Sequence, residues 1–179
     1  MKKKKEKIKG RAAAVIGMVL MIVCSVPLGM GVSLVRERNR ATEYYYDSLL
    51  TELSFCSSAA ADFVTLGGKY LPVENVQLQA LRKAQSAMMA AHHPGEKGEA
   101  YGELNVCMAA LYRTLSETTM SARDEKYREE IYADYLACVD LIGYSAYNTH
   151  AAAFNETLHR APGRAVAEWM GVKELELFV

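Results

Sequence analysis

Residues 12–35 read AAAVIGMVLMIVCSVPLGMGVSLV, an uncharged run closed by Arg11 on one side and Arg36 on the other. As a helix rising about 1.5 Å per residue it would reach about 36 Å, more than the hydrocarbon core of about 30 Å. A helix buried in a soluble protein normally keeps one polar face, and this run is apolar all round, so it predicts a transmembrane helix. A cleaved secretory signal also starts basic and continues apolar. This run is longer than such a core, and no Ala-x-Ala site closes it. Cys24 follows Val23, where lipoprotein processing requires a small residue, so an uncleaved anchor is expected.

Working outward, residues 1–11 hold seven Lys/Arg against Glu6, a net charge of +6, whereas the other flank has Arg36, Arg38 and Arg40 interrupted by Glu37. Positive-inside bias then predicts a cytoplasmic basic tail (1–11), a single membrane helix (12–35) and an extracytoplasmic domain (36–179). That domain carries 14 bases against 20 acids, which argues against nucleic acid as its partner. The expected localisation is the cell membrane of a bacterial-type envelope, with the lipid bilayer itself as one partner. Ala13 with Gly17, followed by Gly29 and Gly31, makes small-residue spacings through which two anchors could associate.

Beyond the membrane, helical periodicity dominates. Tyr46, Leu49, Leu53, Cys56, Ala60 and Phe63 form a first stripe that Gly67 and Gly68 should stop. Val73, Val76, Ala80, Ala84, Ala87, Met88 and Ala91 form a second, ended by the His92-His93-Pro94-Gly95 break. A third runs through Tyr101, Leu104, Met108, Leu111 and Leu115, and Ser121 with Asp124 resembles the capping box of a fourth helix. That fourth helix is expected to continue to about Arg160, with Ile131, Tyr135, Cys138 and Ile142 on one edge and Tyr144, Tyr147, Ala151, Phe154 and Leu158 on another. Pro162 and Gly163 should end it. The fold class is therefore all-α: a single N-terminal transmembrane helix followed by an antiparallel bundle of about four helices.

Chemistry-bearing patterns are sparse. His92 and His93 fall in a loop, and His150 and His159 are nine residues apart on a helix, so no ligand pair of the H-E-x-x-H kind arises and no metal site is expected. No G-x-S-x-G, phosphate loop or dinucleotide fingerprint is present. No catalytic residues and no cofactor are expected. Cys56, Cys107 and Cys138 are an odd set outside the membrane; small buried thiols are the expectation, with disulfide or intermolecular pairing as the alternative. Tyr44, Tyr45 and Tyr46 follow the membrane edge closely enough for interfacial or bundle packing.

The last stretch, YNTHAAAFNETLHRAPGRAVAEWMGVKELELF, resembles the closing motif of the LemA family: Tyr-Asn, an aromatic-Asn seven residues on, then Pro, Ala, Gly and a final Phe. The matching positions are Tyr147, Asn148, Phe154, Asn155, Pro162, Ala165 or Ala167, Gly171 and Phe178. A spacing of seven is two helical turns, so Tyr147 and Phe154 lie on one line and the two Asn on the line beside it. The rings are expected to enter the core while the amides cap or bridge to a neighbouring helix, with Asn148, deeper in the long helix, the more structural of the two. Where that family carries an Arg-rich first helix, this chain has SSAAADFVTL.

The resemblance implies a membrane-anchored scaffold for other envelope proteins, without enzymatic activity, whose partner is an unidentified envelope membrane protein. Two other classes stay open: an extracytoplasmic bundle that senses a small molecule, which the short tail leaves without an output domain, and an envelope enzyme with a site assembled across helices. A pocket with convergent polar groups would favour either of these over the scaffold.

Overall fold

A computed structural model describes residues 28–160 and 162–178. The basic tail, residues 12–27 of the expected membrane helix, and with them Cys24 and the Ala13/Gly17 pair, lie outside the described residues. Those described are mostly helical, with no strand among them. The helices are α1 (Leu28–Tyr70, with a π-helical turn at Tyr44–Leu49), α2 (Val76–Ala90), α3 (Pro94–Ser116), α4 (Ala122–Gly143), α5 (Tyr147–His159) and α6 (Gly163–Met170). By length and composition α1 is long and apolar enough to cross a membrane. Two compact units divide the described residues: 40–152 with 176–178, and 28–39 with 153–160 and 162–175.

The larger unit is an antiparallel bundle of α1 to α4, and polar contacts mark the direction of each neighbour. Gln85 donates to the Ser57 carbonyl (3.1 Å) between α1 and α2, and Lys97 to the Met88 carbonyl (3.1 Å) between α2 and α3. Tyr112 donates to Glu129 (2.7 Å) and Tyr135 to Asn105 (2.6 Å) between α3 and α4. Lys69 meets Asp124 at 3.6 Å, closing α4 onto α1. Inside lie Leu53, Phe63, Leu78, Leu81, Leu104, Met108, Leu111 and Leu115, each no more than 3% exposed. Ser121 caps α4 by accepting from the Asp124 amide (3.1 Å), while the Asp124 carboxylate turns to Tyr70 and Lys69.

Four expectations need correction. Tyr46 is 61% exposed, and Tyr45 takes its place in the core. The buried positions Ala41, Tyr45, Leu49 and Leu53 step by four, which outruns an α-helical turn; the wider π turn at Tyr44–Leu49 absorbs the excess. Gly67 and Gly68 do not stop α1. A Cβ on Gly67 would lie 3.1 Å from Leu78 Cδ1, so this glycine lets α2 approach.

On α2 the buried face is Leu78, Leu81, Ala84 and Met88, with Val73, Val76 and Ala87 outside. Burying Leu removes more apolar surface than burying Ala, and the Asn75 cap on the Leu78 amide (3.0 Å) starts the helix after Val73. Finally, the long fourth helix is two. Gly143 ends α4 with Tyr144 exposed, and the Ser145 hydroxyl accepts from the Tyr147 amide (3.4 Å) to begin α5. A weak helix former followed by a hydroxyl that competes for backbone bonds favours this break.

The smaller unit is built on Leu34, Phe154, Leu158, Val166 and Ala167, with Met30, Val172 and Leu175 packed against them. Pro162 and Gly163 redirect the chain into α6, which periodicity did not anticipate. Gly163 is buried so closely that a Cβ would collide with the Thr157 carbonyl. Gly171, at φ 66°, ends α6; its amide donates to Glu168 and the Val172 amide to Ala167 (2.9 Å), the two bonds of a Schellman cap. Val172 also packs with Ala167 in the core, as that cap favours.

Candidate functional site

The asparagines of the C-terminal motif grip main chain. In the smaller unit the Asn155 amide nitrogen donates to the Leu175 carbonyl (2.8 Å) and its oxygen accepts from the Leu175 amide (2.9 Å). In the larger unit Asn148 does the same to Phe178, at 2.5 and 2.8 Å. Each side chain thus satisfies both backbone groups of one extended residue, as a neighbouring strand would. Seven residues of helix rise about 10.5 Å and three of extended chain about 10 Å, so the spacing of the amides suits residues three apart in a strand. The contacts go to the extended tail, where a helix cap or a bridge to another helix was expected. Asn148 is only the second residue of α5, and its bonds are exposed while those of Asn155 are half-buried.

Two aromatic members of the motif are buried. Phe154 is 1% exposed in the core of the smaller unit. Tyr147 is 2% exposed in the larger one, donating to the Glu176 carbonyl (2.5 Å) with its ring 5.1 Å from that of Tyr45. Burial, with Tyr45 and Glu176 beside it, pushes the Tyr147 hydroxyl up to about 12. Phe178 packs on Tyr101, ring centroids 5.6 Å apart. Pro162 is the exposed cap of α6, Gly171 its left-handed terminus, and of the two motif alanines it is Ala167 that is buried. Sequence reading missed Tyr45, one step off its assumed stripe, and Gly163, which served only as a breaker.

A cleft of about 570 Å³ opens in the larger unit among Tyr101, Asn105, Tyr147, Asn148, Thr149 and Phe178. Three of its polar groups have partners within the fold: Asn105 accepts from Tyr135, Tyr147 holds Glu176, and Asn148 holds Phe178. A small molecule there would compete with these bonds.

His150 stacks on Tyr44 (4.5 Å, 6° between planes), and His159 contacts Glu174 at 3.0 Å. His92 and His93 sit at the entrance of α3, where their backbone amides hold the Glu96 carboxyl below its usual range. Among the described residues no three His, Cys, Asp or Glu side chains gather to hold a metal ion. Cys56, Cys107 and Cys138 are free thiols. Burial, with Cys138 beside it, pushes the Cys56 thiol far up, which suppresses the reactive thiolate.

No family model matches this chain, and no curated protein matches it either.

Proposed function

We propose that this protein is a single-pass, membrane-anchored scaffold of a bacterial envelope, LemA-like in layout and in its C-terminal motif, with the tail cytoplasmic and the bundle extracytoplasmic. Its work is to dock a membrane protein partner on the bundle surface. The observation that carries this reading is the outer face of α4. Ala133, Leu136, Ala137 and Leu141, with Tyr144 just past the helix end, surround the exposed Asp140 on this face, and all are exposed, Leu136 by 45%, Leu141 by 55% and Tyr144 by 87%. An exposed apolar patch around one carboxylate is the kind of surface a partner helix covers. The charge asymmetry across residues 12–35 supports the orientation. The cleft whose Asn105, Tyr147 and Asn148 are already engaged makes ligand sensing or catalysis the weaker account.

The test places a photoreactive residue at position 144 in intact cells and compares it with one at Lys83, exposed on the diagonally opposite helix α2. A discrete adduct from position 144 and none from position 83 is expected. Equal labelling from both overturns the docking face. Protease added to spheroplasts should remove residues 40–179, and protection of that region while an N-terminal tag is cut would invert the topology.

A further inference from the structure

The smaller unit leaves a second apolar surface exposed. Leu28, Val32 and Val35 lie on one line of α1, at steps of four and three, and are 60%, 63% and 39% exposed. Gly31 and Leu34, beside that line, are buried in the unit. Across a cleft of about 490 Å³ lie Trp169 and Met170 from the end of α6, 73% and 40% exposed. The Met170 sulfur closes over Gly31, where a Cβ would stand 2.6 Å from it. On α6 the charged pair Arg164 and Glu168 (3.1 Å) falls on the side away from buried Val166 and Ala167, with Trp169 on the flank between.

The sequence supplies the depth. Residues 12–27 are 16 uncharged positions, and the first charge after them is Arg36. A helical span needs about 20 residues, so a crossing that uses this run is completed within the first turns of α1, near Gly31. Arg36 lies five residues beyond Gly31, a rise of about 7.5 Å. The end of α6 therefore meets α1 on the membrane side of the first charge, where tryptophan is the favoured residue at a bilayer surface.

We propose that the Leu28/Val32/Val35 line, together with Trp169 and Met170, beds in the interfacial layer of the lipid bilayer, so that α6 lies on the membrane as a second, non-spanning contact. This rests on residues 12–35 forming the anchor. The occupant is lipid because the apolar line is the direct continuation of the uncharged run. A second copy of the chain on the same face would instead bury Trp169 in a protein contact.

Trp169 is the only tryptophan in the chain, so it reports on this surface without substitution. The full-length protein is reconstituted into phosphatidylcholine/phosphatidylglycerol vesicles, floated on a density gradient, and its emission measured with lipids brominated either close to the headgroup or near the chain end. The expected result is co-flotation, a blue-shifted emission, strong quenching by the headgroup-proximal bromines, weaker quenching by the deep ones, and protection from aqueous iodide. Co-flotation with Trp169 fully open to iodide overturns the interfacial contact while leaving the anchor standing. Shielding that disappears on dilution of protein in excess lipid assigns the face to a second copy and also overturns it. Failure to float removes the anchor and this contact together.

Discussion

The bundle and the smaller unit hold together by different means. In the bundle, long apolar stripes meet along α1 to α4, and Leu104, Met108, Leu111 and Leu115 are each wholly buried. The smaller unit has, among the described residues, a core of five buried side chains and supplements it with directed bonds: Asn155 on the Leu175 backbone, the Schellman cap at Gly171, and the close approach of Gly163 to Thr157. The first region spreads its stability over many interchangeable contacts. The second concentrates it in a few polar groups and glycines that admit no substitute.

The largest effect should come from the bundle. Leu111→Ala removes a wholly buried side chain beside Gly67 and should cost about 2–5 kcal/mol, read as a lowered unfolding midpoint of the detergent-solubilised chain. An unchanged midpoint would mean that α3 is not packed as described. In the smaller unit, Asn155→Ala leaves the half-buried Leu175 amide and carbonyl without their partner, and because water can reach both the loss should be about 1–3 kcal/mol in all. Hydrogen exchange at Leu175 should accelerate while the bundle amides hold. Asn155→Asp keeps the acceptor and loses the donor, so it should fall between the two, and if Ala and Asp behave alike the bidentate grip is not what holds the tail.

How far each region could be read in advance follows the same division. The stripe on α3 and the Ser121 cap were legible because periodicity and capping are local patterns. The face of α2 was misread because alanines satisfied the period while Leu78 and Leu81 supplied the apolar area. Tyr45 was missed because a π turn shifts register with no marker in composition. At the motif, the seven-residue spacing placed both asparagines on one line, but an amide's partner is set by where a distant strand returns, and nothing local to α5 encodes that.

A smaller effect belongs to the Ser121 cap, where Ser121→Ala should cost about 1 kcal/mol at the start of α4. Smallest is the pH-dependent contribution of Asp124. Its hydrogen bond from Tyr70, then Lys69 and Ser121, hold its carboxyl below the usual range. A carboxylate depressed in the folded state stabilises above its unfolded pKa of about 3.9, and that stabilisation is lost as pH falls through the folded value. Tyr70→Phe should therefore lower the urea midpoint slightly at neutral pH, with the gap to the parent closing towards acid. A gap that persists unchanged at low pH would assign the loss to packing of the ring.

The two amide clamps carry a consequence for how this chain can change over time. Asn148 and Asn155 bond only to main-chain atoms of Phe178 and Leu175, which every residue but proline presents in full. Glu176 and Leu177 are exposed, so the tail is free to exchange those side chains without loosening its grip. What cannot drift is the count between the clamps. One residue inserted between Asn148 and Asn155 turns one amide about 100° around α5 relative to the other. The information that holds the tail is thus a length.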